Sequence, residues 1–318
     1  MTAHTIRPYR GTDLEAVVRA WNQANTADPI TKRRFVTTFL MDVNFDANGL
    51  LVAQCGDDVI GAAYAVRRKH ASERDFLEPD TGWLLFFFVV PEHQGKGVGT
   101  ALLEQSIDWL EQQGRTTILF SPYTPNYLLP GLDVHAYPAA AALLEKRGFS
   151  KLYEAVAMDR LLTDYRLPTR YYQDVARLES QDYTVGNATD ADLIDVIRLA
   201  GDHFNADWER AIREAVVQGM PSDNISVVRD DSGKLVGWAM HGTYDGAQER
   251  FGPFGVLESQ RGKGLGRVLL YHSLNDMKAK GAHSAWFLWT GETTAAGYLY
   301  LNEGFTITRR FTVMKRGG

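Results

Sequence analysis

The sequence predicts an α/β protein made of two related domains, each a mixed, mostly antiparallel sheet flanked by helices. Three observations carry this. The chain has 318 residues, and a domain takes about 150. A glycine loop occurs twice, as Gln94-Gly95-Lys96-Gly97-Val98-Gly99 and as Arg261-Gly262-Lys263-Gly264-Leu265-Gly266, 167 residues apart. Strand and helix patterns run in the same order around both copies.

The first half opens with a strand at Thr5–Pro8, then Thr12 and Asp13 at a helix start. The second opens with Tyr183–Val185, then Thr189 and Asp190 before a helix from Ala191. Both starts place side-chain oxygens where the first helical N–H groups need acceptors. Each half continues with a hairpin. Leu50–Ala53 turns at Gly56-Asp57-Asp58 and returns through Val59–Gly61, and Ile225–Val228 turns at Asp230–Gly233 and returns through Leu235–Gly237. A third strand leads into each loop, at Leu84–Val90 and Phe254–Leu257. The helix after the first loop carries Leu103, Ile107 and Leu110 on one face, and its counterpart carries Leu270, Leu274 and Met277. Gly114 and Gly281 end these helices. Strands follow at Thr117–Phe120 and Ala285–Trp289. Each half closes with a short helix ending in Gly148-Phe149 or Gly304-Phe305 and a last strand, Leu152–Met158 or Thr306–Met314. The first half holds eleven extra residues before its Gly-Phe, within Ser121–Tyr137, where prolines stiffen a surface loop. The domains are expected at 1–163 and 183–318. The linker at 164–182 carries a helix over Thr169–Leu178.

Composition narrows the classes. With 45% apolar residues the chain can build two cores. A net charge of −5 implies no affinity for bulk nucleic acid. No apolar run approaches the roughly 18 residues of a membrane span, and the first ten residues lack a signal-peptide core. The single cysteine, Cys55, excludes an internal disulfide and a cysteine metal cluster. No metal site is expected. The expectation is a soluble cytoplasmic protein without membrane or nucleic-acid partners, as a monomer or homodimer.

Glycine at every second position lets successive N–H groups turn toward one point, and the helix behind adds the positive end of its dipole. Each loop is therefore an anion cradle, and a diphosphate is its natural guest. The backbone of Gln94, Gly95, Lys96, Gly97, Val98, Gly99 and Thr100 forms the first. Arg261, Gly262, Lys263, Gly264, Leu265, Gly266 and Arg267 form the second. Lys96, Lys263 and Arg267 can add charge. The loop is not a Walker A motif, because no Gly-Lys-Ser or Gly-Lys-Thr ends it. It is not a dinucleotide fingerprint either, because Thr100 and Arg267 stand where a third glycine belongs.

In this strand–loop–helix context, with Gly-Phe downstream both times, the chain resembles a tandem GNAT acyltransferase, of the N-acetyltransferase superfamily that uses acetyl-coenzyme A. Gln94, Gly97 and Gly99 fit the family's loop signature, as do Arg261, Gly264 and Gly266. Tyr300-Leu301-Asn302-Glu303-Gly304-Phe305 fits its closing helix. The two-copy plan, which covers nearly the whole chain, is similar to that of the mycothiol synthases and occurs in bacterial enzymes. The resemblance implies acetyl-CoA as cosubstrate and two GNAT-like domains. It also implies a backbone oxyanion donor on the strand before each loop, near Val89 and Val256, with Val90 and Leu257 beside them at the cofactor, where the strand must part from its neighbour. Gly252, Pro253 and Gly255 permit that parting in the second half. Tyr300 is the implied acid for the departing thiolate, with Tyr298 as a rival. The matching position in the first half is Leu144, which has no proton to give, so the first domain reads as chemically impaired.

A base for the amine belongs on or beside the strand before the second loop. Glu249 is the leading candidate, with Glu258, His241 and Asp245 behind it, and any carboxylate there needs a raised pKa or a relaying water. His203, Phe204 and Trp208 belong to the acceptor side. The 121–137 loop either covers a site, fills the first domain's acceptor groove or packs against the domain interface. The function expected is acetyl transfer to a primary amine of a small molecule, such as an amino sugar, aminothiol conjugate or polyamine. The alternatives are a non-catalytic coenzyme A-binding protein and a peptide or protein N-acetyltransferase.

Overall fold

The computed structural model describes residues 4–70, 77–124, 126–244 and 246–318. The chain divides into two compact units. One comprises the described residues up to Ala155 together with Arg310–Gly318, and the other Val156–Arg309.

In the first unit β1 (Thr5–Pro8), β2 (Leu50–Cys55), β3 (Asp58–Val66) and β4 (Thr81–Val89) pair antiparallel in sequence order. Between β1 and β2 come α1 (Leu14–Ala24) and the short α2 (Lys32–Phe35), the latter running into a π turn over Val36–Leu40. Trp21 of α1 meets Phe86 and Phe88 of β4 edge-on at 4.9 and 5.4 Å. That aromatic packing fixes α1 on one face of the sheet. On α3 (Val98–Gln112), Leu103, Ile107 and Leu110 are all buried, as their spacing predicts. They form a second cluster with Leu84, Leu144 and Phe149. Each such side chain contributes about 1.5–3 kcal/mol of burial.

β4 serves both clusters because it is bulged. Tyr64 pairs with Phe86 and Ala65 with Leu84, so Leu85 is an extra residue. An extra residue resets the alternation of side chains and bends the strand. Beside β4, β5 (Thr117–Phe120) pairs parallel, and that ladder ends at Leu84 and Phe120, just before the bulge. The first unit continues with α4 (Pro138–Lys146) and the start of β6 (Ser150–Leu161), which passes into the second unit.

The second unit repeats this plan. After α5 (Thr169–Glu179), β7 (Thr184–Asn187), β8 (Ile225–Arg229), β9 (Leu235–His241) and β10 (Phe251–Val256) form an antiparallel sheet. α6 (Leu193–His203) and α7 (Ala206–Val217) lie between β7 and β8 in sequence. α8 (Leu265–Ala279) follows the loop and buries Leu270, Leu274 and Met277. β9 is buried at every position, so both faces are covered. β11 (Ser284–Thr290) pairs antiparallel with the Val156–Leu161 portion of β6. The chain ends with α9 (Ala295–Asn302) and β12 (Thr306–Gly317). The last part of β12 belongs to the first unit, where Met314–Gly317 pairs antiparallel with Phe120–Thr117 of β5.

β10 carries its irregularity at the matching place. Phe251 pairs with His241 and Phe254 with Ala239, so Gly252 and Pro253 together face one residue, Met240. Both first helices differ slightly from expectation. They open with a 3-10 turn, over Gly11–Asp13 and Asp190–Asp192, and become α-helical only at Leu14 and Leu193. Among the described residues, no helix is long and apolar enough to cross a membrane.

Candidate active site

The two glycine loops have the same backbone. Gly95 and Gly97 stand at φ 71° and 87°, and Gly262 and Gly264 at 82° and 84°. L-residues avoid that left-handed region. Gly97 and Gly264 are the N-caps of α3 and α8, and neither helix has a side-chain cap. The first N–H groups are thus left to an external acceptor. Gly99 and Gly266 serve closeness instead. A Cβ on Gly266 would lie 3.3 Å from Phe254 Cζ, and one on Gly99 would lie 3.5 Å from Val89 Cγ2. Each helix therefore starts directly against the strand before its loop.

The side chains around the loops are less alike. Gln94 donates from Nε2 to the Val89 carbonyl at 2.9 Å. Arg261 reaches outward toward Glu258 at 3.7 Å. Lys96 is exposed. Lys263 turns aside and donates to Tyr183 Oη at 2.6 Å and Gln260 Oε1 at 2.7 Å. Arg267 is held by Asp174 of α5 through bonds of 2.7 and 3.0 Å.

The strand amides separate into two kinds. Leu257 donates its N–H to Val236 O at 2.9 Å, and Val90 donates to Ile60 O at 2.9 Å. Both of these amides are thus paired within the hairpin sheets. Successive residues in a strand point their N–H groups to opposite edges. The amides of Val256 and Val89 accordingly face away from the hairpins, toward the edge where the sheet opens.

That opening follows from the bulges. β4 leaves β5 after Leu84. Just before β10, Arg250 bridges to Trp286 of β11, whose N–H donates to Glu249 O at 3.0 Å. Past the bulge the strands diverge, which accounts for the parting that Gly252, Pro253 and Gly255 led us to expect.

In the second unit an aromatic group stands at this divergence. The Tyr300 ring lies 4.5 Å from Phe287 of β11, 6.0 and 6.1 Å from Phe251 and Phe254 of β10, and 5.4 Å from Phe305. Tyr300 is 6% exposed, and burial raises its phenol well above the usual value. It is therefore protonated at neutral pH. Its rival Tyr298 is 55% exposed and outside this cluster. Leu144, at the corresponding place in the first unit, is wholly buried in the α3 cluster.

The first unit's divergence is occupied by its own loop. Leu128, Leu129 and Tyr137 line a cavity of about 80 Å³ with Leu85, Phe87 and Phe120. The loop is fastened at several points. Tyr137 donates to Asp28 at 2.6 Å, Asn126 to Asp42 at 2.5 Å, and Asn44 to Tyr123 Oη at 2.9 Å. Leu132 also bridges to Thr312. These contacts hold the segment against the first unit as one wall of that cavity.

Glu249, the leading expected base, is tied to the backbone of β11. The Glu249 carboxylate accepts His283 N–H at 2.8 Å, Ser284 N–H at 3.2 Å and Ser284 Oγ at 2.9 Å. The His283 amide, opposed by burial and aided by Ser284, holds its carboxyl below the usual range. Glu249 ties down the start of β11, at the opposite end of β10 from Val256. Glu258 points into solvent beside Arg261. His241 is fully buried, its ring nitrogens 3.1 Å from Gln248 O and 3.1 Å from Asp276 Oδ2. Asp245 lies outside the described residues. The structure brings none of the three described candidates to Val256.

The acceptor side is aromatic. Phe204 stacks on Trp208 at 5.6 Å, and both meet Trp238 edge-on. This wall abuts the strand at Gly255, where a Cβ would come within 2.6 Å of Phe204 Cε1. His203 is exposed. Sequence reasoning assigned no role to Asp174 and Arg177, whose only signal is charge at helical spacing on α5.

Comparison with known proteins agrees with this geometry. Residues 14–128 match the model of the acetyltransferase (GNAT) family, and residues 221–307 match that of an acetyltransferase (GNAT) domain. The chain belongs to the GNAT acetyltransferase family, with two such domains in tandem. No curated protein matches the sequence. Solved structures share its fold at low identity. A GCN5-related glucosamine N-acetyltransferase region of a fungal multi-domain GH3 β-N-acetylglucosaminidase matches 99% of this chain, with TM-score 0.82 and 19% identity. The match spans only 38% of the fungal chain. A GCN5-related N-acetyltransferase from Sphaerobacter thermophilus matches with TM-score 0.71 and 15% identity, over 99% of this chain and 95% of its own. A tandem GNAT protein from the clavulanic acid biosynthesis pathway matches with TM-score 0.64 and 16% identity, over 99% and 98%.

Proposed function

We propose that the protein is an acetyl-CoA-dependent N-acetyltransferase whose second unit moves the acetyl group to a primary amine of a small molecule in the bacterial cytoplasm. The observation that carries this is Tyr300, a buried phenol between the diverging β10 and β11, where the first unit has Leu144.

Acetyl-CoA supplies an activated acetyl group as a thioester. The open N–H groups at Gly262–Arg267 bind its diphosphate. The Val256 amide holds the oxygen that becomes negative as the amine attacks, a contact worth roughly 3 kcal/mol. Tyr300 gives its proton to the departing thiolate, and the proton that the acetylated nitrogen releases to water restores the phenol. The wall of Phe204 and Trp208 excludes water and orients an acceptor beside Gly255. An amino sugar, with one apolar ring face and one amine, suits such a wall. The first loop has the same backbone and holds coenzyme A without turnover, because its groove is filled and Leu144 replaces the acid.

The test is release of free thiol from acetyl-CoA in the presence of amino sugars, polyamines and aminothiol conjugates. Turnover with one of these, abolished by Gly264→Leu and retained in Gly97→Leu, is the expected result. Turnover that survives Gly264→Leu and is lost in Gly97→Leu would reverse the assignment of the units. Coenzyme A binding without turnover on any amine would favour a non-catalytic binding protein.

A further inference from the structure

Helix α5 lies outside the repeated plan, yet it reaches the second glycine loop. Leu178 joins the core of the second unit, with Tyr171 and Val175 packed against it. This places Asp174, itself 8% exposed, beside the start of α8. Three guanidinium groups converge on that one carboxylate. Arg267 lies 2.7 Å away, Arg177 3.3 Å and Arg170 3.7 Å. Arg177 also donates from Nη2 to the Lys263 carbonyl at 2.8 Å. A Cβ on Gly264 would lie 3.0 Å from Arg177 Nη2 and 3.5 Å from Arg267 Nη2. Both groups thus stand at the left-handed glycine that opens the helix.

Arg170 and Arg177 are 61% and 40% exposed, so water screens part of their charge. One carboxylate balances one of the three positive charges. Arg177 and Arg267 sit at the positive end of a helix dipole, where cations are disfavoured unless an anion joins them. A phosphoryl group removes the imbalance and matches the guanidinium fork. The first loop has no counterpart of this cluster, since Thr100 stands where Arg267 would be.

We propose that α5 is part of the cofactor site. Arg177, together with Arg267 oriented by Asp174, forms a phosphoryl subsite of the second loop and takes a phosphate of coenzyme A. This rests on reading that loop as the coenzyme A cradle. Two sources share the chemistry, the diphosphate and the ribose 3′-phosphate.

The experiment measures acetyl-CoA and 3′-dephospho-acetyl-CoA binding by calorimetry in the full chain carrying Gly97→Leu, which leaves only the second loop. Adding Arg177→Gln should weaken acetyl-CoA about tenfold, and Arg177→Lys should restore part of the loss. A loss confined to acetyl-CoA assigns the 3′-phosphate, and an equal loss for both ligands assigns the diphosphate. Unchanged binding of both in Arg177→Gln, while Gly264→Leu still abolishes binding, overturns the role of α5 alone. If Gly264→Leu leaves binding intact, the cradle reading falls and this inference falls with it.

Discussion

Tyr300 and Leu144 occupy the same step of the repeat, four residues before a Gly-Phe, and differ by a proton that one can give. Tyr300→Phe keeps the ring packing against Phe287 and Phe305 and removes only the hydroxyl. We expect kcat to fall by roughly two orders of magnitude with little change in KM. Steady-state kinetics with the best amine checks this, and an unchanged kcat would remove Tyr300 from the acid role. Burial raises this phenol from its ordinary value of 10.0, so its deprotonation cannot produce a loss of rate below pH 10. Glu249 gives the opposite case. Its carboxylate is stabilised as an anion by the His283 and Ser284 donors, which is the wrong poise for a base. Glu249→Ala should cost about 0.5–1.5 kcal/mol of stability, because it removes an acceptor from half-exposed donors that water can partly satisfy. It should spare kcat per folded molecule. Thermal unfolding set beside kcat separates the two effects, and a large fall in kcat at unchanged stability would return Glu249 to the chemistry.

The polar network along α8 sets a pH limit on the second unit. His272 Nδ1 lies 2.9 Å from Tyr171 Oη and its Nε2 lies 2.6 Å from Asn187 Oδ1, so the ring joins α5, α8 and β7. Burial lowers its pKa below the ordinary 6.5, against the pull of Asp276. The folded state thus binds fewer protons than the unfolded chain, and stability is lost as pH falls through 6.5 toward the lower folded value. The unfolding midpoint should drop between pH 7.5 and pH 5.5, and His272→Gln should flatten that slope. An equal slope in the variant would assign the effect elsewhere. Much at this scale was legible in the sequence. Leu270, Leu274 and Met277 pointed to their buried face by spacing alone, and the glycines marked both loops and helix ends. The parting of the strands was legible only in outline. Gly252 and Pro253 signalled the second bulge, but Leu85, an apolar residue in an apolar run, gave no sign of the first. α5 was legible as a helix and silent as a site. Arg170, Asp174 and Arg177 offer the sequence only charge at helical spacing, and it is the fold that brings Arg177 to Gly264.

At the scale of the molecule, the closing strands prevent the sequence halves from being self-sufficient. A cut near residue 163, natural from the repeat, leaves the first unit without its last strand. That strand comes from the end of the chain, where Met314–Gly317 pairs with β5 and buried Met314 joins the cluster of Leu84, Leu103 and Phe120. Arg310 adds an ion pair to Glu154 at 3.0 Å, and Arg316 reaches Glu111. These surface pairs are worth less than the burial. Met314→Ala alone should cost about 2–5 kcal/mol. Ending the chain at Arg309 removes the whole ladder, so β5 becomes an exposed edge while β8 and β9 keep all their partners. Hydrogen exchange in that truncated chain should show lost protection at Ile118–Phe120 and retained protection at Val227, Val228 and Trp238. Full protection at β5 would mean that the first unit closes without the terminal strand. If the strand is required, the loop that fills the first groove loosens as well, since Leu132 bonds to Thr312 through paired N–H···O contacts of 2.9 and 2.8 Å. The last residues of the chain therefore help to keep the first groove shut, and exchange at Leu132 in the same experiment reports on that directly.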